Sequence, residues 1–468
     1  MGEIVFAAIV PHPPIMIPAV GGREVTNVQQ SVKAMEKLAE QLLAVQPDTL
    51  VFVTPHGTVF QDAVSLTTVP QLRGDLREFG AGTVSFQFPN DLELVPAITR
   101  QAMEDNLPVV GINERLARDY RVRTELDHGI MVPLYFFQRA GINPTLVAIS
   151  IGLLPFEDLF AFGVAVQKAV HQSGKKVAVI ASGDMSHRLT KDAPAGYHPQ
   201  GKEFDRRIKE CVEQGDIKGI INIPQDLAEK AGECGLRSII IAWGALDGYM
   251  VQPEVYSYEG PFGVGYLVAN LNPQQPGAAP ALLPELMAER NRLVQERRQK
   301  ESMLVRLARE SLEHYVRTGE RLPTPAEIPS ELRRRAGVFV SIKKHGQLRG
   351  CIGTIAPTQP NLFHEIVENA ISAGVGDPRF RPVGPEELGD LVYSVDVLQE
   401  PEPIQSIDQL DPLRYGVIVR RGRRSGLLLP NLEGIDSAEE QVAIAKRKAG
   451  IAPDEPVELS RFEVVRYT

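Results

Sequence analysis

Short apolar runs alternate with helical patterns through roughly the first 271 residues of the 468-residue chain. Four runs have the length and apolar content of buried strands, at residues 3–10, 49–54, 145–151 and 176–182. Apolar residues recur at helical spacing in five further segments, at residues 27–45, 94–105, 156–172, 201–213 and 235–246. This alternation predicts an α/β domain over residues 1–271, with a mixed or parallel sheet flanked by helices.

The pattern changes after residues 272–284, a Pro- and Ala-rich stretch that predicts a linker. Residues 285–317 have the charged, amphipathic pattern of one long helix. Two hairpins are predicted, at residues 337–353 (turning at His345-Gly346) and 414–430. A single strand is predicted at residues 391–398, and a helix that starts with a capping box at residues 437–451. Residues 285–468 are therefore predicted to form an α+β domain with antiparallel hairpins.

Composition and charge exclude several classes of partner. The net charge of −9 is concentrated in residues 1–272, which hold 31 acidic and 23 basic residues. A surface this acidic makes nucleic acid an unexpected ligand. No run of 18 apolar residues occurs, so no membrane span is predicted. The three cysteines include no CxxC pair, which is typical of a reducing, cytoplasmic compartment.

Three histidines follow the predicted strands of the first domain. His12 lies among four prolines in VPHPPIMIP, His56 is the next-to-last residue of TLVFVTPHG, and His187 is the last residue of KVAVIASGDMSH. Ligands of α/β sheets bind beyond the carboxyl ends of the strands. If these strands are parallel neighbours, the three imidazoles converge at one edge. The surrounding prolines would fix the backbone there, which suits metal ligands.

A third metal ligand is available in the segment EKAGECGLRSIIIAWGAL. Glu233 with two histidines would give the ligand set of non-haem iron(II), Fe²⁺, whereas Cys234 would also suit Zn²⁺ or copper. Asp184 adds a carboxylate that could orient an imidazole or hold a substrate proton. His128, between Asp127 and Gly129, is a candidate hydrogen-bond donor in support of a ligand.

The motifs VPHPPIMIP, VTPHG, ELDHGIMVPL and SGDMSH together resemble class III extradiol ring-cleavage dioxygenases of the LigB type, and more closely their Memo-like relatives. This resemblance implies that His12 and His56 bind the metal and that His187 is the catalytic acid/base. It also implies Cys234 as the third ligand, because ECGLR matches the Memo-like pattern where dioxygenases have glutamate.

The second domain carries LRGCIGT, DPRFRPV and RYGVIVRRGRRSGLLLPNLEG, which resemble the AMMECR domain. The fusion is similar to components A and B of the AmmeMemoRadiSam system, which implies a radical S-adenosylmethionine (radical SAM) protein as partner. Within LRGCIG, the side chains of Arg349 and Cys351 and the open backbone of Gly350 are candidate site residues. A buried strand cysteine without chemistry is the alternative for Cys351.

These observations leave three functions open. The first is an iron-dependent oxidoreductase that acts on a small-molecule substrate with vicinal oxygens and uses dioxygen. The second is a metal-binding accessory protein that has kept the fold without dioxygenase turnover. The third is a zinc-dependent hydrolase.

Overall fold

The chain forms two compact units, Met1–Glu289 and Arg290–Thr468. The computed structural model describes residues 1–344, 346–432 and 434–468. His345, in the predicted turn of the first hairpin, lies outside the described residues. The predicted linker, residues 272–284, lies within the first unit, where Asp247 accepts the backbone N–H of the buried Leu282 at 2.6 Å. Among the helices of the described ranges, none is both long and apolar enough to cross a membrane.

The first unit is built on an eight-stranded sheet and a separate two-stranded hairpin. The strands are β1 (Glu3–Val10), β2 (Thr49–Thr54), β3 (Val64–Thr67), β4 (Gln71–Leu76), β5 (Ala81–Pro89), β6 (Val109–Ile112), β7 (Thr145–Ser150), β8 (Lys176–Ser182), β9 (Glu254–Glu259) and β10 (Tyr266–Asn270). The sheet order is β6-β3-β7-β2-β8-β1-β10-β9, and β4 pairs with β5. The adjacent strands β7, β2, β8 and β1 are parallel, whereas β9 and β10 run antiparallel at one edge. The predicted mixed α/β sheet is confirmed.

Helices cover both faces of this sheet. The helices that begin in the first unit are α1 (Pro18–Gly21), α2 (Gln29–Val45), α3 (Leu94–Glu104), α4 (Glu114–Tyr120), α5 (His128–Arg139), α6 (Phe156–Ser173), α7 (Pro199–Gln214), α8 (Ile217–Ile221), α9 (Gln225–Ala231), α10 (Leu236–Ala245) and α11 (Leu283–Lys300), of which α11 continues past Glu289 into the second unit. One core packs α3, α6 and α10 against the sheet, and a second core packs α2 and α5 against its other face. Gly163 lets α6 approach α10 closely, because a Cβ there would lie 2.2 Å from the carbonyl oxygen of Ile241.

The carboxyl ends of three neighbouring parallel strands meet at one edge of the sheet. Val10 of β1 pairs in register with Ser182 of β8, and Val53 of β2 pairs with Ala181 of β8. The loops that follow these strands therefore begin at the same level. This register brings together chain segments that are more than 100 residues apart in the sequence.

The second unit has an antiparallel sheet covered by helices. Its strands are β11 (Val338–Lys344), β12 (Gln347–Gly353), β13 (Leu391–Leu398), β14 (Glu402–Ile404), β15 (Tyr415–Arg421), β16 (Arg424–Leu428) and β17 (Glu458–Tyr467), and its helices are α12 (Met303–Thr318), α13 (Leu362–Val375) and α14 (Ala438–Lys448). The strand order is β12-β11-β13-β17-β15-β16, with β14 paired to β17. The predicted α+β class with antiparallel hairpins is confirmed.

The prediction of a single helix over residues 285–317 is wrong. The chain forms two helices there, α11 and α12, separated at Glu301 and Ser302. The cause is local, because Ser302 has extended backbone and its hydroxyl accepts the N–H of Val305, which makes it the N-cap of α12. Leu304, Leu307 and Leu312 of the predicted apolar face are buried as expected.

Candidate metal centre

The aligned strand ends place three histidines together. Within the described residues, the ligand atoms of His12, His56 and His128 all lie within 4.8 Å of one another. The Nε2 atoms of His12 and His56 are 3.0 Å apart. The ring centroids of His56 and His128 are 4.2 Å apart in a stacked arrangement. His12 is buried, His128 is half-buried and His56 is exposed, so the group opens to solvent on the His56 side.

Hydrogen bonds fix which nitrogen of His12 faces the group. The Ser182 hydroxyl donates to the backbone carbonyl of Gly129 at 2.5 Å, so its oxygen is an acceptor toward His12 Nδ1, 2.9 Å away. Nδ1 of His12 therefore carries the proton, and Nε2 directs a lone pair toward His56. This is the tautomer that a metal ligand needs.

The electrostatics of the site keep its imidazoles uncharged. Burial, with repulsion from the neighbouring histidines, lowers the pKa of His12 well below its ordinary value. Desolvation, with the charges of His128 and His187, lowers the pKa of His56 to about 4. Burial also lowers the pKa values of His128 and His187. At neutral pH each ring then offers a lone pair, which is the form that binds a metal.

The donor set fits a single metal ion. Two nitrogens bound to one ion at about 2.0–2.1 Å, with bond angles of about 90–109°, lie about 2.8–3.4 Å apart. The observed separation of 3.0 Å between the Nε2 atoms of His12 and His56 falls in this range. The chemistry of three neutral imidazoles suits Zn²⁺, copper and iron alike.

Thr54 and Asp127 position two of the three histidines. Asp127 accepts hydrogen bonds from the Thr54 hydroxyl and the Gly129 N–H, both at 2.7 Å, and so caps α5 at His128. The Thr54 oxygen also accepts the backbone N–H of His56 at 3.2 Å. Burial raises the pKa of Asp127 to about 6, against the effect of its hydrogen bonds to Thr54 and Gly129. One residue at the end of β2 thus links the loops that carry His56 and His128.

Cys234 and Glu233 point to different sides of the segment that carries them. The Sγ of Cys234 lies 3.7 Å from His12 Nε2 and accepts the backbone N–H of Asp184 at 3.2 Å. Glu233 instead accepts the backbone N–H of Leu236 at 2.7 Å and caps the start of α10. The structure therefore brings Cys234, rather than Glu233, beside the histidines. Burial raises the pKa of the Cys234 thiol well above its ordinary value.

Among the histidines of the site, Asp184 contacts His12 rather than the neighbouring His187. Its Oδ1 accepts the backbone N–H of His12 at 2.9 Å, and its Oδ2 lies 3.9 Å from His12 Nε2. Nδ1 of His187 donates to the carbonyl of Gly232 at 2.5 Å. The residues of this loop face opposite sides, so a backbone carbonyl takes the role expected of the carboxylate. Burial raises the pKa of Asp184 to about 7.

The candidate residues of the second unit have structural partners. Arg349 donates to both carboxylate oxygens of Glu387, at 2.9 and 3.0 Å. A Cβ on Gly350 would lie 2.0 Å from the carbonyl oxygen of Ala373, so this glycine admits helix α13 rather than a ligand. The Sγ of Cys351 is half-buried and 3.1 Å from the Ser341 hydroxyl.

Sequence reasoning missed Ser182, Thr54 and Phe79. Ser182 ends a predicted strand, and its position beside Val10 could have been anticipated from the parallel register. Phe79 follows β4 in a half-exposed turn, and its ring centroid lies 5.3 Å from that of His128. No local signal marks this contact, because it depends on how the β4–β5 hairpin folds back over the site.

Comparison with known proteins agrees with this architecture. Residues 6–269 match the family of the catalytic LigB subunit of aromatic ring-opening dioxygenase, and residues 305–468 match AMMECR1. The chain therefore belongs to the LigB family, with an AMMECR1 domain following the LigB domain. A Clostridium acetobutylicum protein is 41% identical over 461 residues, which cover 98% of each chain.

Two further relatives cover smaller parts of the chain. A Thermotoga maritima protein is 55% identical over 159 residues, which are 33% of this chain and 91% of that protein. The crystal structure of an uncharacterized protein from Pyrococcus horikoshii matches 35% of this chain and 88% of its own, with 38% identity and a TM-score of 0.32.

Replacing Ser182 with alanine is expected to weaken metal binding about 10–100-fold, the usual effect of removing a group that orients a metal-bound histidine. The change leaves Nδ1 of His12 without its acceptor, so the ring loses its fixed tautomer. Chelator competition on the purified full-length chain measures the affinity. Ser186→Ala is the matched control, because this buried hydroxyl donates to Ala231 and contacts no histidine of the group. Equal affinities for the two variants would contradict the role of Ser182.

Proposed function

We propose that the first unit is an iron-dependent oxidoreductase of the extradiol type, acting on a small substrate with vicinal oxygens. The observation that carries this proposal is the convergence of His12, His56 and His128, with uncharged rings, at the carboxyl edge of a LigB-family sheet. His12, His56 and His128 would hold the metal, with the Cys234 thiol beside His12. A bound Fe²⁺ supplies Lewis acidity toward a substrate hydroxyl and redox chemistry with dioxygen.

His187 is the proposed acid/base. Its Nδ1–H is held by the Gly232 carbonyl, so Nε2 is free to accept a proton. The proximity of His187 to the metal ligands is supported by electrostatics, because a positive charge on its ring would lower the pKa values of both His12 and His56. Its own pKa is lowered by burial, so at neutral pH it is in the basic form needed to take a proton from a substrate hydroxyl.

Substrate access is proposed from the His56 side. His56 is exposed, and Phe79 presents a partly exposed ring beside His128. A planar substrate entering there would meet an apolar surface on one side and His56 on the other. The buried Asp184 and the half-buried Cys234 both lie next to His12.

Zinc-dependent hydrolysis is the second candidate function. It is favoured by one observation: the three-membered group consists of histidines alone, and three histidines are an established ligand set of catalytic zinc. A carboxylate in the group would have favoured iron instead. Glu233, the residue expected to supply it, caps α10.

An accessory role is the third candidate. In this case the unit binds a metal and serves a radical SAM partner without dioxygenase turnover. Its support is the resemblance of the whole fusion to the AmmeMemoRadiSam components. A partnership with such a protein is compatible with the first candidate as well, and we propose it for both.

Oxygen uptake separates these candidates. The full-length chain is purified without oxygen, stripped of metal, reloaded with Fe²⁺ or Zn²⁺, and mixed with catechol and substituted catechols. The dioxygenase proposal expects oxygen uptake and ring-cleavage absorbance with Fe²⁺ and neither with Zn²⁺. Ester or amide hydrolysis by the Zn²⁺ form alone would favour the hydrolase. Tight metal binding without either activity would favour the accessory role.

A further inference from the structure

Arg237, in the first turn of α10, has no hydrogen-bond partner within the described residues. Its guanidinium lies 4.0 Å from a carboxylate oxygen of Glu233, which is beyond hydrogen-bonding distance. The side chain is only 21% exposed, and its Nε is fully buried without a partner. Buried polar groups are nearly always hydrogen-bonded, so the buried, unpaired Nε of this guanidinium points to a partner that the fold does not supply.

Glu233 is not that partner. Its Oε2 accepts the backbone N–H of Leu236 at 2.7 Å, which holds the carboxylate at the start of α10. Its side chain is 4% exposed and cannot turn toward the guanidinium without releasing this cap. Glu233 therefore acts on Arg237 as an ion pair at 4.0 Å, and the hydrogen bonds of the guanidinium stay open to a group from outside the fold.

A cavity of about 270 Å³ lies against Arg237. It is large enough for a small organic molecule, and its walls include Phe156, Ala228 and Glu229. The guanidinium carbon lies 5.5 Å from the centre of the Phe156 ring, so one face of the cation is covered by an aromatic surface. The in-plane N–H groups stay available for an oxyanion, which binds a guanidinium edge through paired hydrogen bonds.

We propose that Arg237 and this cavity bind the carboxylate group of a small organic ligand. Glu229 on the wall makes the cavity unfavourable for a doubly charged phosphate, whereas a singly charged carboxylate carries less repulsion. An amino group on the same ligand would be attracted to Glu229, so small amino acids belong to the expected class.

The cavity lies across a short chain segment from the histidines. Gly232 and Glu233 line it, while the Gly232 carbonyl accepts the His187 proton and Cys234 faces His12. The cavity is thus a second site next to the candidate metal centre. Ligand binding at this cavity requires neither a bound metal nor catalytic turnover, so it can be tested independently of the proposed function.

Calorimetric titration of the full-length chain with acetate, glycine and inorganic phosphate tests this site. Saturable binding of acetate or glycine is expected, and Arg237→Gln should weaken it about tenfold or more, as for other hydrogen bonds to charged groups. Arg237→Lys should retain part of the binding, because it keeps the charge but loses the paired geometry. Arg100→Gln, at an exposed position on α3, is the control and should bind as the wild type does.

Three results would overturn the inference. Absence of saturable binding by acetate and glycine would mean that water alone solvates Arg237. Binding unchanged in Arg237→Gln would place the ligand elsewhere. Saturable binding of phosphate alone would refute the carboxylate class. If circular dichroism shows that Arg237→Gln does not fold, Arg237→Lys is compared with the wild type instead. A ligand site at Arg237 requires Arg237→Lys to bind more weakly than the wild type, so equal binding would overturn the inference.

Discussion

His12→Ala is expected to lower the metal affinity of the chain by more than about 100-fold. Removing a group that only hydrogen-bonds to a metal ligand already lowers the affinity about 10–100-fold, and loss of the ligand itself should cost more. His12 is the most buried of the three histidines, and Ser182 holds its ring in the metal-binding tautomer. Its Nε2 is the atom closest to both His56 and Cys234 in the described contacts. Removing it takes a ligand from the centre of the group. Chelator competition and metal analysis after dialysis measure the loss.

His171→Ala is the control for this variant. His171 is also partly buried, but its ring is hydrogen-bonded to Tyr249 and its carbonyl accepts the N–H of Gly2, at the end of the sheet opposite the site. Metal content should match the wild type. If His12→Ala retained stoichiometric metal after dialysis, while circular dichroism showed a native fold, the ion would lie elsewhere and the assignment of His12 would be wrong.

His187→Ala is expected to keep its metal and to lose turnover by about 10²–10⁴-fold, the usual contribution of a general acid/base. The expectation rests on the hydrogen bond from Nδ1 to the Gly232 carbonyl, which leaves Nε2 as a proton acceptor. His187 is not among the three histidines whose ligand atoms form the compact group. The rate of oxygen uptake by the Fe²⁺-loaded variant, with a catechol that the wild type turns over, gives the change.

His198→Ala is the matched control for the acid/base variant. His198 lies on the same connection between β8 and α7, where Nδ1 of its ring accepts the N–H of Gln200 and caps α7. Its removal should cost about 1 kcal/mol of stability, as for other N-caps, and leave turnover intact. Loss of metal from His187→Ala as complete as that from His12→Ala would make His187 a ligand, and the assignment of an acid/base role would fail.

The sequence predicts the central part of the first unit well, for a physical reason. Strands β1, β2, β7 and β8 are buried on both faces, so each one is an almost continuous apolar run that differs from any amphipathic helix. The hairpin β4–β5 escaped prediction because β4 (QLRGDL) has only two apolar residues and the alternation of β5 is regular only in its second half. The break between α11 and α12 depends on one N-cap, Ser302, within a pattern that is otherwise helical.

The candidate site is predicted in part. Strand-end position suffices to select His12 and His56, because parallel register brings these ends together. His128 begins a helix, and its approach to the other two depends on the long-range bond between Thr54 and Asp127. The choice between Glu233 and Cys234 depends on which side of the backbone each residue faces, and composition carries no information on that point.

Anomalous diffraction from crystals of the anaerobically purified, Fe²⁺-loaded chain, recorded on both sides of the iron absorption edge, tests the central claim most directly. One anomalous peak is predicted in the first unit, within bonding distance (about 2.0–2.2 Å) of the Nε2 atoms of His12 and His56 and of a ring nitrogen of His128. The side chain of Glu233 should remain turned toward α10. Crystals with intact histidine rings but no anomalous peak among them would contradict the account, as would a peak bound elsewhere in the chain.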